Sequence, residues 1–95
     1  MVLRILGTPS FDRVVKKMHP RDKKVVDQAV MDVAADPSIG EEKKGDLAGV
    51  FGYKFMVNKQ ETLLAYRLQP TKKKPQELVL LNIGSHENFY GNMKR

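Results

Sequence analysis

The chain has 95 residues, of which 41% are apolar and 29% charged, a composition that supports one small hydrophobic core rather than a disordered segment. It contains no cysteine, which excludes disulfides and thiolate metal sites, and its two histidines are far apart in sequence, so we expect neither a metal nor a cofactor. No stretch approaches the roughly 18 apolar residues of a membrane span. We therefore expect a single cytoplasmic domain over residues 1–95 that does not contact a membrane.

The net charge of +6 is concentrated in the second half of the chain. Residues 1–42 carry seven basic and seven acidic side chains, whereas residues 43–95 carry ten basic and four acidic ones. A one-sided field of this kind attracts anions and speeds their arrival. The distribution favours a polyanion, above all RNA, as the partner, and the alternative interpretation is a small basic protein whose charge only keeps it soluble.

Two helices are predicted after a short first strand over Val2 to Leu6. Thr8 and Pro9 supply the hydroxyl N-cap and first-turn proline typical of a helix start, and Pro20 opens the second helix. Both helices carry apolar residues at the spacing of one buried stripe: Phe11, Val14, Val15 and Met18, then Val26, Ala29, Val30, Val33 and Ala34. The short connection between them predicts a helix hairpin. The polar residues 38–46 that follow predict a loop.

The second half changes to the alternation that is typical of β-strands. Three strands of an antiparallel meander are predicted over Phe51 to Val57, Thr62 to Leu68 and Glu77 to Ile83. A turn over 58–61 and a lysine-rich loop over 69–76 separate them. Gly84 is expected to end the last strand, which is apolar on both faces and therefore belongs inside the sheet.

The order β-α-α-β-β-β predicts an α+β fold in which the helix hairpin packs on one face of a small antiparallel sheet. The first strand is expected at an edge or beside the last strand. The face away from the helices would then be open, and alternation offers one set of residues for it: Lys54, Met56, Leu63, Ala65, Arg67, Leu80 and Asn82. Lys54 and Arg67 are the cations expected to flank a concave surface there, although both also fit ordinary solvated strand positions.

The two histidines receive different interpretations. His19 precedes Pro20 at the helix junction and is interpreted as structural. His86 follows the predicted end of the last strand, where a side chain can be presented to a ligand. Because imidazole exchanges protons near neutral pH, His86 is the natural candidate for a general acid or base, but one strand-end histidine does not by itself define a catalytic site.

Three stretches in this order of elements resemble a known family. They are Gly45–Gly49 (G-D-L-A-G), Leu63–Tyr66 (L-L-A-Y) and Ile83–Tyr90 (I-G-S-H-E-N-F-Y). Together they look like the RelE/ParE toxins of bacterial type II toxin–antitoxin modules, and the closing stretch is similar to that of the YafQ branch. The resemblance covers essentially the whole chain and implies a microbial-ribonuclease-like fold. It also implies metal-independent cleavage of messenger RNA in the ribosomal A site, where the 2′-hydroxyl attacks the adjacent phosphate and the 5′-oxygen leaves.

The resemblance also implies roles for four residues. His86 matches the strand-end histidine of the YafQ branch, a general acid, and Glu61 falls near that branch's acidic residue, a base. Lys54 matches a basic strand residue of RelE, and Tyr90 matches the aromatic residue near the C-terminus that stacks on or orients the substrate. Further cations are candidates for substrate binding: Arg67, Lys72, Lys73, Lys74, Lys94 and Arg95. Arg67 is included because of its charge and its position in the strand.

The sequence departs from the family pattern at three positions. Met56 and Leu63 stand where RelE carries basic catalytic residues, and Val57 stands where the YafQ branch has a second histidine. The set of phosphate-stabilising cations is therefore thinned. Two further hypotheses follow: a ParE-type inhibitor of DNA gyrase without chemistry of its own, and an inactive protein that only binds its antitoxin.

All three functional hypotheses imply the same regulatory partner. A basic toxin is expected to be neutralised by a cognate acidic antitoxin, a segment of which folds on binding. That segment would lie along the exposed sheet edge or the helix hairpin.

Overall fold

The structure, a computed structural model, describes residues 3–43, 49–69 and 74–85. In chain order the elements are β1 (Arg4–Gly7), α1 (Pro9–Lys16), α2 (Pro20–Ala35), a 3₁₀ turn (Pro37–Ile39), β2 (Glu41–Glu42), β3 (Phe51–Val57), β4 (Gln60–Gln69) and β5 (Glu77–Ser85). The strands form one sheet in the order β1-β5-β4-β3-β2, in which β1 runs parallel to β5 and the other neighbours are antiparallel. The α+β fold is confirmed, and β1 lies both at an edge and beside the last strand. Neither described helix is long and apolar enough to cross a membrane.

The main core lies between the two helices and one face of the sheet. α1 packs against β5, and α2 packs against β3. The core combines residues of both predicted helical stripes with the matching strand positions. Its buried members are Leu3, Phe11, Val26, Val30, Val33, Phe51, Leu64, Tyr66, Leu68, Leu78, Leu80 and Ile83, and the stripe residues Val14, Val15, Met18 and Ala34 pack against them. The hydrophobic periodicity therefore identified the buried face of each helix correctly.

Side-chain caps set the starts of both helices. The Thr8 hydroxyl oxygen accepts a hydrogen bond from the Phe11 N–H at 3.4 Å, and the His19 Nδ1 accepts one from the Arg21 N–H at 3.1 Å. Each bond satisfies one of the backbone donors that the first turn of a helix leaves unpaired. The structural interpretation of His19 is confirmed by this bond.

The turn between β3 and β4 is shorter than the predicted one over 58–61. It contains only Asn58 and Lys59, whose φ angles of 50° and 66° are those of a two-residue hairpin turn. β4 therefore starts at Gln60, and Glu61 is a strand residue opposite Met56. The two-residue turn therefore determines on which side of the sheet the Glu61 carboxylate lies.

A bulge in β5 corrects the prediction for Leu80. Ala65 pairs with Asn82, whereas the next residue of β4, Tyr66, pairs with Leu80, so Leu81 is an extra residue. The extra residue reverses the alternation. Leu80 therefore faces the helices, and its predicted place on the open face is wrong.

Two further boundaries differ from the predicted ones because strand pairing outweighs local composition. Gly84 does not end β5, since it pairs with Leu63, and the strand continues to Ser85. Residues 38–46 were predicted as a loop. The structure instead places the end of the 3₁₀ turn there, followed by the short strand Glu41–Glu42, which pairs with β3.

Tyr66, on the middle strand β4, forms hydrogen bonds to the segment that follows α2. Its side chain is fully buried, and its ring stacks on Phe51 with centroids 5.3 Å apart. The hydroxyl donates to the Pro37 carbonyl at 2.6 Å and accepts from the Gly40 N–H at 3.1 Å. A Cβ at position 40 would collide with this hydroxyl, so the close approach requires glycine. Burial raises the pKa of Tyr66 to about 12.

We expect Tyr66→Phe to lower the free energy of unfolding by about 2 kcal/mol, because two buried backbone groups lose their partner. The neutral phenol contributes its full stability below the ordinary tyrosine pKa of 10.0, and this contribution is lost as the pH rises toward the folded pKa of about 12. Urea unfolding of both proteins across this range should show their difference shrinking above pH 10.0. A difference that stays constant would contradict the burial of an un-ionised hydroxyl.

Candidate functional site

The strand register places one set of side chains on the sheet face away from the helices, here called the distal face. Directly opposed residues of an antiparallel pair point to the same side. Lys54 is opposite Leu63, Met56 is opposite Glu61, Ala65 is opposite Asn82, and Arg67 is opposite Val79. With the exception of Leu80, the predicted members therefore share this face, and Glu61 joins them.

The middle of the distal face is buried, contrary to the prediction of an open surface. Leu63 is 1% exposed and Ala65 is 0% exposed. Both belong to a second, smaller apolar cluster with Val50 and the bulge residue Leu81. The part of the face that a ligand can reach therefore lies toward its two ends.

Lys54 and Glu61 both lie at one of these ends. Lys54 is opposite Leu63, and Glu61 precedes Leu63 by two residues, so the two charged residues are diagonal neighbours on adjacent strands. Residues in this relation lie roughly 7–8 Å apart, with their Cβ atoms somewhat closer, which lets two exposed side chains reach one bound group. β5 ends at the same place, because Ser85 is opposite Thr62. The residue that precedes His86 in the sequence is therefore paired with Thr62, the neighbour of Glu61 on β4, and lies across β4 from Lys54.

Glu41 and Lys43 add an ion pair beside Lys54. Glu41 pairs with Gly52, two residues before Lys54, which puts both side chains on the distal face. The Lys43 Nζ lies 3.1 Å from the Glu41 Oε1. The hydrogen bond and charge of Lys43, and more weakly the charge of Lys54, lower the pKa of Glu41. Sequence reasoning missed Glu41 because a Glu-Glu-Lys-Lys run carries no strand signal.

Two predicted cations lie away from the Lys54–Glu61 pair. Arg67 is exposed on the distal face, but it follows Leu63 by four residues of β4, or about 13 Å. Lys74 lines a groove of about 580 Å³ beside Leu3 and Pro37, toward the end of the sheet where β5 begins. Lys54 and Arg67 therefore flank the buried middle of the face, and Lys74 does not join them.

The other predicted site residues lie outside the described part of the chain: His86, Tyr90, Lys72, Lys73, Lys94 and Arg95. The same holds for most of the G-D-L-A-G stretch. In the described ranges, no group of three or more His, Cys, Asp or Glu side chains is placed to hold a metal ion. The roles of these six residues stay predictions from the sequence.

The fold matches solved structures of bacterial toxins. A chain of the toxin–antitoxin complex RelBE2 from Mycobacterium tuberculosis superposes with a TM-score of 0.74 at 20% identity, covering 90% of this chain and 100% of that one. A mutant of the Escherichia coli toxin RelE in the free state gives 0.72 at 13% identity, covering 99% and 94%. The intact E. coli RelBE toxin–antitoxin complex gives 0.64 at 11% identity, covering 90% and 98%. The fold is therefore that of the RelE-type toxins.

The sequence itself defines the family. No curated protein is significantly similar to the chain in sequence. The family model described as the ParE-like toxin of type II bacterial toxin–antitoxin systems matches residues 5–94, nearly the full sequence. The chain belongs to this family, and the resemblance to RelE/ParE toxins is confirmed.

The surroundings of Glu41 predict that substitutions of Lys43 and Lys54 raise its pKa by different amounts. Lys43→Met should raise the pKa of Glu41 toward its ordinary value, because it removes both the hydrogen bond and the nearest charge. Lys54→Met should raise it by less, and Lys24→Met, which removes an exposed lysine of α2, should leave it unchanged. A carbon-detected NMR titration of the carboxylate measures all three. Equal effects of the Lys54 and Lys24 variants would contradict the placement of Lys54 beside β2.

Proposed function

We propose that this type II toxin is a ribosome-dependent, metal-independent endonuclease that cuts messenger RNA in the ribosomal A site and so blocks translation in the cytoplasm. The observation that carries the proposal is the diagonal position of Lys54 and Glu61, at the end of the sheet where Ser85, the residue before His86 in the sequence, pairs with Thr62. An acid, a base and a cation are the minimum set for this reaction without a metal. This end of the distal face offers two of them, and the proposal takes His86, the residue that follows Ser85 in the sequence, as the third.

Each residue has one step in the proposed reaction. Glu61 takes the proton of the ribose 2′-hydroxyl, whose oxygen then bonds to the adjacent phosphorus. Lys54 stabilises the extra negative charge of the phosphorane. His86 gives its proton to the 5′-oxygen as the phosphorus–oxygen bond breaks, which leaves a cyclic phosphate and a free 5′-hydroxyl. Tyr90 stacks on a neighbouring base and orients it.

The distal face also explains why the rate is expected to be low. Met56 is 57% exposed beside Glu61, and Leu63 is buried, so the two positions that carry basic residues in RelE offer no charge to a phosphate here. Removing one oriented donor to a developing oxyanion typically costs about 10²–10³ in rate. Recognition by the ribosome would have to offset part of this loss by positioning the substrate.

Regulation by a cognate antitoxin follows from the family and from the solved complexes. Two of the similar structures are toxin–antitoxin complexes. The net charge of +6 favours an acidic antitoxin. Mass action between the two proteins would set the concentration of free toxin.

Inhibition of DNA gyrase is the second candidate function, and the same departures favour it. A face with an apolar buried middle and few cations suits a protein surface as well as a phosphate. A gyrase inhibitor needs no general acid, so its action would not depend on His86. An inactive protein that only binds its antitoxin would arrest no growth at all.

Mapping messenger-RNA 5′ ends after induction in cells tests the nuclease. We expect codon-phased cuts with the wild type, none with His86→Ala, and at least a tenfold loss with Lys54→Ala or Glu61→Gln, because each variant removes one participant in proton transfer or charge stabilisation. Lys24→Ala is the matched control, since it removes an exposed lysine on the helical side.

Circular dichroism of the four variants checks that they fold. Intact transcripts together with stalled replication would overturn the nuclease and select the gyrase inhibitor. Growth arrest that survives in His86→Ala would have the same consequence.

A further inference from the structure

Lys43 continues the pairing of β2 with β3 by one residue. Its N–H donates to the Val50 carbonyl at 2.8 Å, which follows on from the pairing of Glu42 with Phe51. Glu41 and Lys43 are two residues apart in this extended segment, so both side chains lie on the distal face, at its β2 edge. Lys43 is therefore a cation of the distal face, although it was not among the site residues predicted from the sequence.

The Lys43 side chain is far more covered than the glutamate that it binds. It is 23% exposed, whereas the Glu41 side chain is 79% exposed. A lysine with this exposure lays its aliphatic stem along the protein surface and keeps the ammonium group at the accessible end. Val50, the residue opposite Lys43, belongs to the apolar cluster of the distal face, so the stem starts beside that cluster. The lysine is therefore held in place, while the glutamate can turn into solvent.

The Glu41 carboxylate lies between two lysines. The Lys43 Nζ donates to its Oε1 at 3.1 Å. Lys54 lies on the other side, because Glu41 is opposite Gly52 and Lys54 follows Gly52 by two residues. The hydrogen bond and charge of Lys43, then the charge of Lys54, lower the pKa of Glu41, so both lysines act on this one carboxylate. A single negative charge with two acceptor oxygens is also what a phosphodiester would present to the two ammonium groups.

Little opposes the exchange of this carboxylate for a phosphate. An ion pair with an exposed partner contributes little to stability, so a rotation of the Glu41 side chain away from Lys43 leaves the fold intact. RNA also carries further phosphates, which the positive field of the protein attracts. A lysine is useful here because Met56 and Leu63 offer no charge to the substrate.

We propose that Lys43 binds a phosphate of the RNA beside Lys54, and that the Glu41 carboxylate occupies this phosphate position until RNA displaces it. The inference rests on the nuclease function proposed above and adds a substrate-binding residue to it. Because Glu41 competes with the phosphate, it lowers the affinity of the toxin for RNA. A simple surface ion pair between Glu41 and Lys43 would have no such effect.

Binding of a single-stranded RNA with methylated 2′-hydroxyls tests the proposal, since this RNA binds but cannot be cut by attack of the 2′-oxygen. Fluorescence anisotropy measures the affinity for the full-length protein and its variants. Glu41→Gln should tighten binding by about three- to tenfold, because the competing carboxylate is gone. Glu42→Gln is the matched control: it makes the same charge change on the same strand, but its side chain lies on the helix side with Phe51, so it should tighten binding by less than twofold.

The lysine itself is tested by the salt dependence of the same binding. Lys43→Met should weaken binding at least fivefold and reduce the slope of log K against log salt concentration by about 0.7, the contribution of one phosphate contact on a single strand. Lys24→Met makes the same charge change on α2 and should leave the slope unchanged. Equal slopes for the two variants would overturn the assignment of Lys43.

A double variant separates local competition from a general change in charge. If Glu41 acts by occupying Lys43, then Glu41→Gln should gain at most half as much binding in the Lys43→Met protein as in the wild type. An equal gain in both backgrounds would refute the displacement. If a variant does not fold, the nitrogen resonance of the Lys43 ammonium group in the wild type decides instead: it should shift as RNA is added, and a resonance that stays in place while RNA binds would contradict the proposal.

Failure of this proposal is distinguishable from failure of the nuclease. The predicted binding pattern in a protein that cuts no messenger RNA in cells would refute the nuclease and leave the phosphate site standing. Codon-phased cuts, together with Glu41→Gln and Lys43→Met proteins that bind RNA like their controls, would keep the nuclease and overturn the role of Lys43. A wild-type protein that binds no RNA would overturn that role as well.

Discussion

The arrangement of the sheet depends on one buried hydroxyl. Tyr66 points from the middle strand into the core, and its hydroxyl holds the carbonyl of Pro37 and the N–H of Gly40. Pro37 begins the 3₁₀ turn that follows α2 and Gly40 comes directly after it, so the bonds determine where the chain returns to the sheet. β2 begins at the next residue, which places Glu41 on the distal face near Lys54. A contact inside the core thus sets the electrostatic surroundings of the candidate site on the opposite face.

A second long-range contact fixes the other side of the sheet. The Thr8 hydroxyl, besides capping α1, lies 2.9 Å from the Leu80 carbonyl and 3.0 Å from the Leu81 carbonyl. The bulge at Leu81 disturbs the ladder with β4, and the threonine provides a donor for carbonyls at that point. The start of the first helix and the irregularity of the last strand therefore stabilise each other, which keeps β1 against β5 and leaves its outer edge exposed.

The sequence was sufficient for the parts of the fold that follow from periodicity. The stripes that begin at Phe11 and Val26 were found because helical spacing repeats over several turns, and the opposite facings of Leu63 and Leu64 follow from alternation in a half-buried strand. The bulge could not be found, because nothing in Leu80-Leu81-Asn82 signals an extra residue. β2 was missed because two glutamates have no strand propensity, and only pairing with β3 makes them a strand.

The candidate site likewise has features that the sequence could predict and features that it could not. The proximity of Lys54 and Glu61 was predictable in outline, since a hairpin brings the two flanking strands together, but their diagonal relation depends on the turn having two residues rather than four. The burial of Leu63 and the separation of Arg67 from Lys54 depend on which side chains pack over the distal face, which a single sequence does not encode locally. The face is thus a mostly apolar surface with charged ends, not a continuous cationic groove.

The central claim is that messenger RNA lies against the distal face at the Lys54–Glu61 end. A photo-reactive benzoylphenylalanine at Met56, which is 57% exposed there, compared with the same group at Met31, which is 58% exposed on α2, tests it most directly. On ribosomes programmed with messenger RNA, cross-links to the message are predicted from position 56 and not from position 31. Cross-links from position 31 alone, or from neither position while translation is blocked, would contradict the account.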